Sequence, residues 1–456
     1  MPYSKRKKSH EYFIYLANKY GRIARLVVGT EPLILINDAA EAKKVLVSPD
    51  FEKSTRLPRL MIGLADHGIA GLVGEEHRRH RKYLLPALGP NHLKIAAQAS
   101  VDATHKVMSQ WGLHATVDFL KCMNAITTDV IARVTLGQDV NAVAALQLDE
   151  LPPHLRDLSL VTEIIAARTY IPEILWKPNG LAKQDAIEKT KSVRLFLQTI
   201  IDKRKKDWND MDPNERIRFS TMSQDEKLRA TANWTLVDRL LSANYCLGKT
   251  IFDDRDISDE VCSFFQGGTD TTALSLTTLV VFMARYPNVA QKVYDEIDMV
   301  LGKDGIVTYD SLSRFRYLEC VIKETMRLEN AASATQYRTP SKQSIVCGYK
   351  IYPGDAVVVN TIALHRNPLY WDHPDEFKPE RWADGFVPTP GSYLPFGDGG
   401  ANCIGQRLAM LETRLVAATM LQHYQFDIAP GQKVNIISSA TVGYKSGLKI
   451  IVKRRN

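Results

Sequence analysis

The chain of 456 residues holds no CxxC or CxxxC pair, and its six cysteines (Cys122, Cys246, Cys262, Cys320, Cys347 and Cys403) stand far apart. That scatter suggests neither a zinc site nor a disulfide framework, and it fits a reducing compartment. Long hydrophobic runs are also missing. The longest charge-free apolar stretch of interest, Thr271 to Ala284, is studded with threonines and falls short of the roughly 20 residues that a bilayer span needs. Met1 leads directly into a basic, polar segment rather than a signal peptide, so the chain as given is expected to be soluble or peripheral. We find no internal repeat, no low-complexity segment, no nucleic-acid module, and no flavin, nicotinamide or iron–sulfur motif.

What remains is an ordinary globular composition, 45% hydrophobic and 24% charged, sufficient for a sizeable core. Length alone is a soft argument for two or three domains. The net charge of +8 gathers at the ends, in Lys5, Arg6, Lys7, Lys8 and in Lys453, Arg454, Arg455. Such clusters read as solvated termini, with contact to anionic lipid or an acidic protein as the functional alternative.

Apolar spacing predicts a helix from Glu11 to Tyr20, then two β-rich runs between Arg25 and Ile36 parted by Thr30, Glu31 and Pro32. Lys94 to Lys206 reads as a helical body with proline breaks, and the polar stretch Lys203 to Asn233 as surface loop or short exposed helices. Strong helices are expected at about Ile257 to Arg285, Leu312 to Glu329 and Ile404 to Tyr424. Strand-like runs fall at Ser344 to Ile351, Ala356 to Val359, Val434 to Ile437 and Leu448 to Val452. The sum is mainly α with a minor β region.

One segment carries chemistry. In Phe396-Gly397-Asp398-Gly399-Gly400-Ala401-Asn402-Cys403-Ile404-Gly405, a cysteine follows a glycine-rich loop and precedes an apolar helix. Glycines can take tight conformations that aim N–H groups at sulfur, and the positive end of the helix favours the thiolate. A lone cysteine at a helix start is usually structural, so the loop needs corroboration.

Phe396, Gly399, Cys403 and Gly405 match FxxGxxxCxG, and here the chain resembles the cytochrome P450 family. The resemblance implies that Cys403 is the proximal ligand of a heme b iron, with Phe396 packed near the sulfur, and that the thiolate donates electron density favouring O–O cleavage. Further motifs follow in the family's order. Glu324-Thr325-Met326-Arg327 matches ExxR, an i, i+3 pair that in isolation reads as a surface ion pair. Phe377-Lys378-Pro379-Glu380-Arg381-Trp382 matches the PERF-type loop. By resemblance Glu324, Arg327 and Arg381 form a buried charge triad beside the cysteine loop.

Gly267-Gly268-Thr269-Asp270-Thr271-Thr272 matches the oxygen-activation motif. Two glycines cost a helix roughly 1 kcal/mol each, and room for oxygen over iron is the reason expected. Thr271 would supply a hydroxyl and Asp270 a carboxylate that relay protons through water. The structural alternatives are a Thr271 hydroxyl bonded back to the Gly267 carbonyl and an Asp270 that is merely solvated or salt-bridged.

The chain departs from the family where heme propionates are held. His77, in His77-Arg78-Arg79-His80-Arg81, replaces the tryptophan of WxxxR, and Ala401 replaces a basic residue. Arg81 remains the expected propionate ligand, with His77 and Arg338 as further candidates, while the basic run could instead form an exposed face for an acidic redox partner. The usual prolines after the ExxR helix are replaced within Leu328-Glu329-Asn330-Ala331-Ala332-Ser333-Ala334. A substrate pocket would draw on Phe264, Gly267, Gly268, Ala332, Thr335 and Thr441.

Nearly the whole chain shares the resemblance, which implies one P450 domain over residues 1 to 456, a triangular helical prism with small antiparallel sheets. It also implies a monooxygenase that takes O2 and NADPH electrons through a partner, NADPH–cytochrome P450 reductase or a similar donor, and oxidises a lipophilic small molecule. Related eukaryotic enzymes sit on the cytosolic face of the endoplasmic reticulum membrane through an N-terminal anchor. These residues carry no such anchor, so peripheral membrane contact or a cytoplasmic location is the alternative expectation. Two rival functions are a heme-thiolate isomerase or dehydratase, which typically loses the Asp-Thr pair, and a poorly active heme-binding homologue.

Overall fold

In a computed structural model, described for residues 9 to 455 apart from 29–30, 149–151, 213, 216–217, 219–220, 223–233, 248–249, 303–304, 333, 435, 439–441 and 445–447, helices dominate. In chain order the main ones are α1 (Ser9–Tyr20), α2 (Ala39–Val47), α3 (Gly74–Leu84), α4 (Pro90–Met108), α5 (Phe119–Leu136), α6 (Pro153–Tyr170), α7 (Lys191–Asn209), α8 (Leu236–Leu247), α9 (Asp254–Gly268), α10 (Asp270–Arg285), α11 (Pro287–Leu301), α12 (Arg316–Leu328) and α13 (Gln406–His423).

Local chemistry fixes several of these boundaries. Asp118 caps α5 by accepting from the Lys121 N–H, and Gly137 ends it in a left-handed conformation. Asp253 and Asp256 cap the start of α9 reciprocally, each side chain accepting from the other's N–H. The central helices α5, α9 and α10 pack with α4, α12 and α13 into one continuous core that includes Phe119, Ile126, Leu276, Phe315 and Leu415.

The β region consists of β1 (Ile23–Val28), β2 (Glu31–Ile36), β3 (Phe51–Lys53), β4 (His114–Asp118), β5 (Arg338–Pro340), β6 (Ser344–Val346), β7 (Tyr349–Ile351), β8 (Ala356–Val359), β9 (Tyr424–Ile428), β10 (Ile436–Ser438), β11 (Val442–Tyr444) and β12 (Lys449–Arg454). The largest sheet runs β1-β2-β8-β5-β3, and three small ones are β4-β12-β9, β6-β7 and β10-β11. Because β2 and β8 run parallel, the first sheet is mixed rather than wholly antiparallel. Its register sets Lys53 opposite Arg338.

Three details differ from the pattern read in the sequence. The helix expected from Ile257 to Arg285 is two helices that meet at Thr269, which keeps right-handed helical torsions and bonds to Phe265 on one side and Ala273 on the other. The strand expected from Ser344 to Ile351 is a hairpin, turned at Cys347 and Gly348, both at positive φ. Strand β4 interrupts the helical body because it pairs with the C-terminal β12, a partner that local periodicity cannot announce. Most of the polar stretch 203–233 lies outside the described residues, although α7 runs through its beginning.

Candidate active site

The glycine-rich segment forms a closed loop, in which the Cys403 N–H donates to the Phe396 carbonyl at 2.9 Å. Gly399 sits at φ +73°, and a Cβ there would stand 2.0 Å from the Leu46 carbonyl of α2. Only glycine fits both demands. Cys403 lies deep in the protein yet faces open cavity space. Burial pushes its thiol above the ordinary value, and the Gly405 N–H and the Arg81 charge only partly oppose that. The loop N–H and the nearby cation favour the anion, as expected, while burial opposes it. A thiolate here needs a cation such as a metal ion beside it.

A cavity of about 360 Å³ spreads from Cys403, Phe396 and Gly405 to the junction of α9 and α10. It brings together the expected residues Phe264, Gly267, Gly268, Thr271, Ala332 and Thr335, and at one end His77, Arg81 and Arg338. Thr441 lies outside the described residues.

Thr271 donates its hydroxyl to the Gly267 carbonyl at 2.7 Å, which satisfies the backbone and leaves oxygen lone pairs toward the cavity. Of the two glycines, Gly267 opens on the cavity, whereas a Cβ on Gly268 would meet Ile131 of α5 at 2.9 Å. Room for a ligand accounts for the first and close helix packing for the second. Asp270 is not in this cavity. It lines a separate 340 Å³ cavity behind the helix with Asp118, Lys121, Asn124 and Gln266. Neighbouring helical residues point about 100° apart, so this acid and this alcohol can open on different cavities.

The Glu324, Arg327 and Arg381 side chains meet. Arg327 forms two 2.9 Å bonds to Glu324, and Arg381 adds a third at 2.9 Å. Glu324 also accepts from the Lys378 N–H and the Trp382 indole, both at 2.9 Å. Arg327 reaches the carbonyls of His365, Pro374 and Glu376. Both Glu324 and Arg327 are fully buried, so the group is a satisfied internal network rather than a surface pair.

The basic end is the test of whether a heme fits. Arg338 is 3% exposed, and its one described hydrogen bond is to the Tyr337 carbonyl at 3.5 Å. Burial, followed by Lys53, Arg81 and Arg338, pushes His77 down to about 4, so it is a neutral imidazole at neutral pH. Arg81 donates to the carbonyl and side-chain oxygen of Asn402. Lys53, missed in the sequence, adjoins this group; burial first and Arg338 next push it down to about 7, while Glu260 pulls it up. Buried cations with so little compensating negative charge favour an anionic ligand. The two carboxylates of a heme suit them, with Cys403 available to the iron.

Glu412 of α13 also went unnoticed in the sequence. It is fully buried, lines the cavity, has one oxygen with no partner among the described residues, and burial raises its carboxyl well above the usual range. Burial therefore favours its protonated form. Its helical spacing from Cys403 looked like ordinary core, and only the fold shows which face it takes.

The fold is mainly helical, with a cysteine and a basic end sharing one internal cavity. The family model for cytochrome P450 matches residues 2–451, and the chain belongs to that family. It is 28% identical to human "Cytochrome P450 4V2", a match covering 95% of this chain and 82% of that protein. It is 25% identical to "Echinocystic acid 23-monooxygenase" of Saponaria officinalis over 96% of this chain and 83% of the relative. The solved cytochrome P450DA heme domain superposes with a TM-score of 0.81 at 20% identity, covering 98% of this chain and 92% of that one. The shared fold follows from that likeness.

Proposed function

We propose that this P450 is a monooxygenase that inserts one atom of O2 into a lipophilic small molecule, at a C–H bond or across a double bond. The observation that carries the reading is one cavity shared by Cys403 and Thr271 and walled largely by apolar groups such as Phe264, Ile131 and Leu88. Heme bound there supplies iron for redox activation of dioxygen. Arg81, Arg338 and neutral His77 hold its carboxylates, and the Glu324–Arg327–Arg381 network fixes the loops that flank Cys403.

Thr271 accepts a hydrogen bond from water beside the reacting oxygen and so orients proton delivery. Asp270, open to the cavity behind the helix, collects protons from water on that side. The apolar wall excludes bulk water and binds substrate by area rather than by charge.

Electrons come from a separate donor of the NADPH–cytochrome P450 reductase kind. A 710 Å³ cavity that reaches Cys403 is bordered by the exposed Arg407, and this cation suits an acidic partner. Among the described residues no helix is long and apolar enough to cross a membrane. Attachment to the cytosolic face of the endoplasmic reticulum is supported by the likeness to eukaryotic P450s alone.

The first test is the spectrum of the dithionite-reduced protein with carbon monoxide. A Soret band at the long wavelength of thiolate-ligated iron is expected; absence of heme, or a band typical of histidine ligation, overturns the proposal. Thr271→Ala then separates oxygenase from isomerase. With an oxidisable substrate the variant should release peroxide and lose product formed per NADPH by about tenfold or more, whereas an isomerase would be indifferent.

A further inference from the structure

The segment between Met61 and Gly74 lines the cavity through Ile69 and Ala70 but contains no helix or strand beyond Met61. Its backbone closes turns on itself, as in the Leu64 N–H to the Met61 carbonyl at 2.8 Å and the Leu72 N–H to the Gly68 carbonyl at 3.1 Å, but it belongs to no longer element. Gly68 lies so close to α9 that a Cβ there would stand 2.1 Å from the Ser263 hydroxyl and 2.4 Å from the Asp259 carbonyl. Charged groups supply what secondary structure does not.

From α9, Glu260 accepts from the Ile69 N–H at 3.0 Å and pairs with His80 of α3 at 2.6 Å. Both side chains of that pair are essentially unexposed. From β3, Lys53 donates to the carbonyls of Ile69 and Ala70 at 2.7 Å each. One peptide segment is thus gripped by an acid on its N–H and a base on its carbonyls. Further along, Asp259 accepts from the His67 N–H at 3.0 Å and from Arg194 at 3.0 Å, and Arg194 also reaches the Gly63 carbonyl at 3.2 Å. The His67 ring meets Asp256 at 2.9 Å.

We propose that Lys53 and Glu260 are positioning residues that latch the Ile69–Ala70 wall over the cavity and so set which substrate shapes it admits. Neither side chain lines the cavity, and both act through the wall they hold. Glu260 also joins the wall to α3, the helix of His77 and Arg81, so the substrate wall and the cofactor's carboxylate ligands share one rigid support. The specificity part of this inference rests on the function proposed above; the latch itself rests on the hydrogen bonds alone.

Backbone exchange and ligand shape test it on the purified ferric holoenzyme. In the wild type the Ile69 amide should be protected by about a hundredfold or more against an unstructured peptide, despite lying outside every helix and strand. Glu260→Gln and Lys53→Met should raise exchange across residues 63 to 71 by about tenfold while α13 is unchanged, and Lys53→Arg should restore protection. Titration with two azole probes then reads the wall. Glu260→Gln should weaken 4-phenylimidazole by about fivefold and leave imidazole, too small to touch the wall, nearly unchanged.

An unprotected Ile69 amide in the wild type overturns the latch, whether or not the variants fold. Equal weakening of both azoles, or of neither, overturns its role in specificity. A wild type without the thiolate spectrum sinks the proposed function instead, and leaves the exchange result to decide the latch.

Discussion

Glu412 shows how one atom group can shape the behaviour of the whole chain with pH. Burial holds its proton more tightly in the folded chain than in the unfolded one, so the unfolded chain releases that proton at lower pH. The stability it contributes is fully present below about pH 4.5 and is lost as pH rises toward its folded value, at up to about 1.4 kcal/mol per pH unit. Glu412→Gln removes that dependence. The gap between the thermal midpoints of variant and wild type should move in the variant's favour from pH 5 to pH 8, and a constant gap would refute the tighter hold on the proton. His365 works in the opposite direction. Fully buried, it accepts from the Leu394 N–H at 2.8 Å, and burial followed by Arg327 pushes it down to about 3. Comparing Glu412→Gln with wild type cancels that background.

At the scale of elements, the informative place is the junction of α9 and α10. Gly268→Ala drives a methyl into Ile131 and should cost about 1 to 3 kcal/mol. Gly267→Ala meets nothing within 4 Å and should gain up to about 1 kcal/mol of helix stability, at the expense of cavity space. Thermal unfolding of the two variants distinguishes packing from ligand room; equal effects would deny the division.

The same junction marks what the sequence made legible. The cysteine loop, the ExxR pair and the threonine motif are each written in a few adjacent residues, so they could be read directly. That Asp270 and Thr271 open on different cavities could not, because only the approach of α5 shows what each side of the helix meets. Lys53, Glu260 and Glu412 were illegible for a similar reason: each looks like a routine strand or helix residue until distant segments close around it. Likewise β4 needed a partner that lies at the far end of the chain.

For the whole molecule, a net charge of +8 and Arg407 at the mouth of the 710 Å³ cavity beside Cys403 would make association with the proposed reductase a matter of long-range attraction. Raising salt from about 0.05 to 0.5 M shortens the screening distance from over 10 Å to a few ångströms and should slow reduction by the partner severalfold. Stopped-flow reduction at several salt concentrations measures it, with dithionite reduction as the control that should barely change. A reduction rate indifferent to salt would remove the cationic surface from the docking argument.

The paired helices α9 and α10 also act as a partition. On one side lies an oily chamber with Thr271 at its wall, and on the other a chamber bordered by Asp118, Lys121, Asn124 and Asp270. A bulky guest can therefore occupy the first chamber without plugging the second. Under the role proposed for Asp270, tight filling of the binding side leaves the chamber of that acid open.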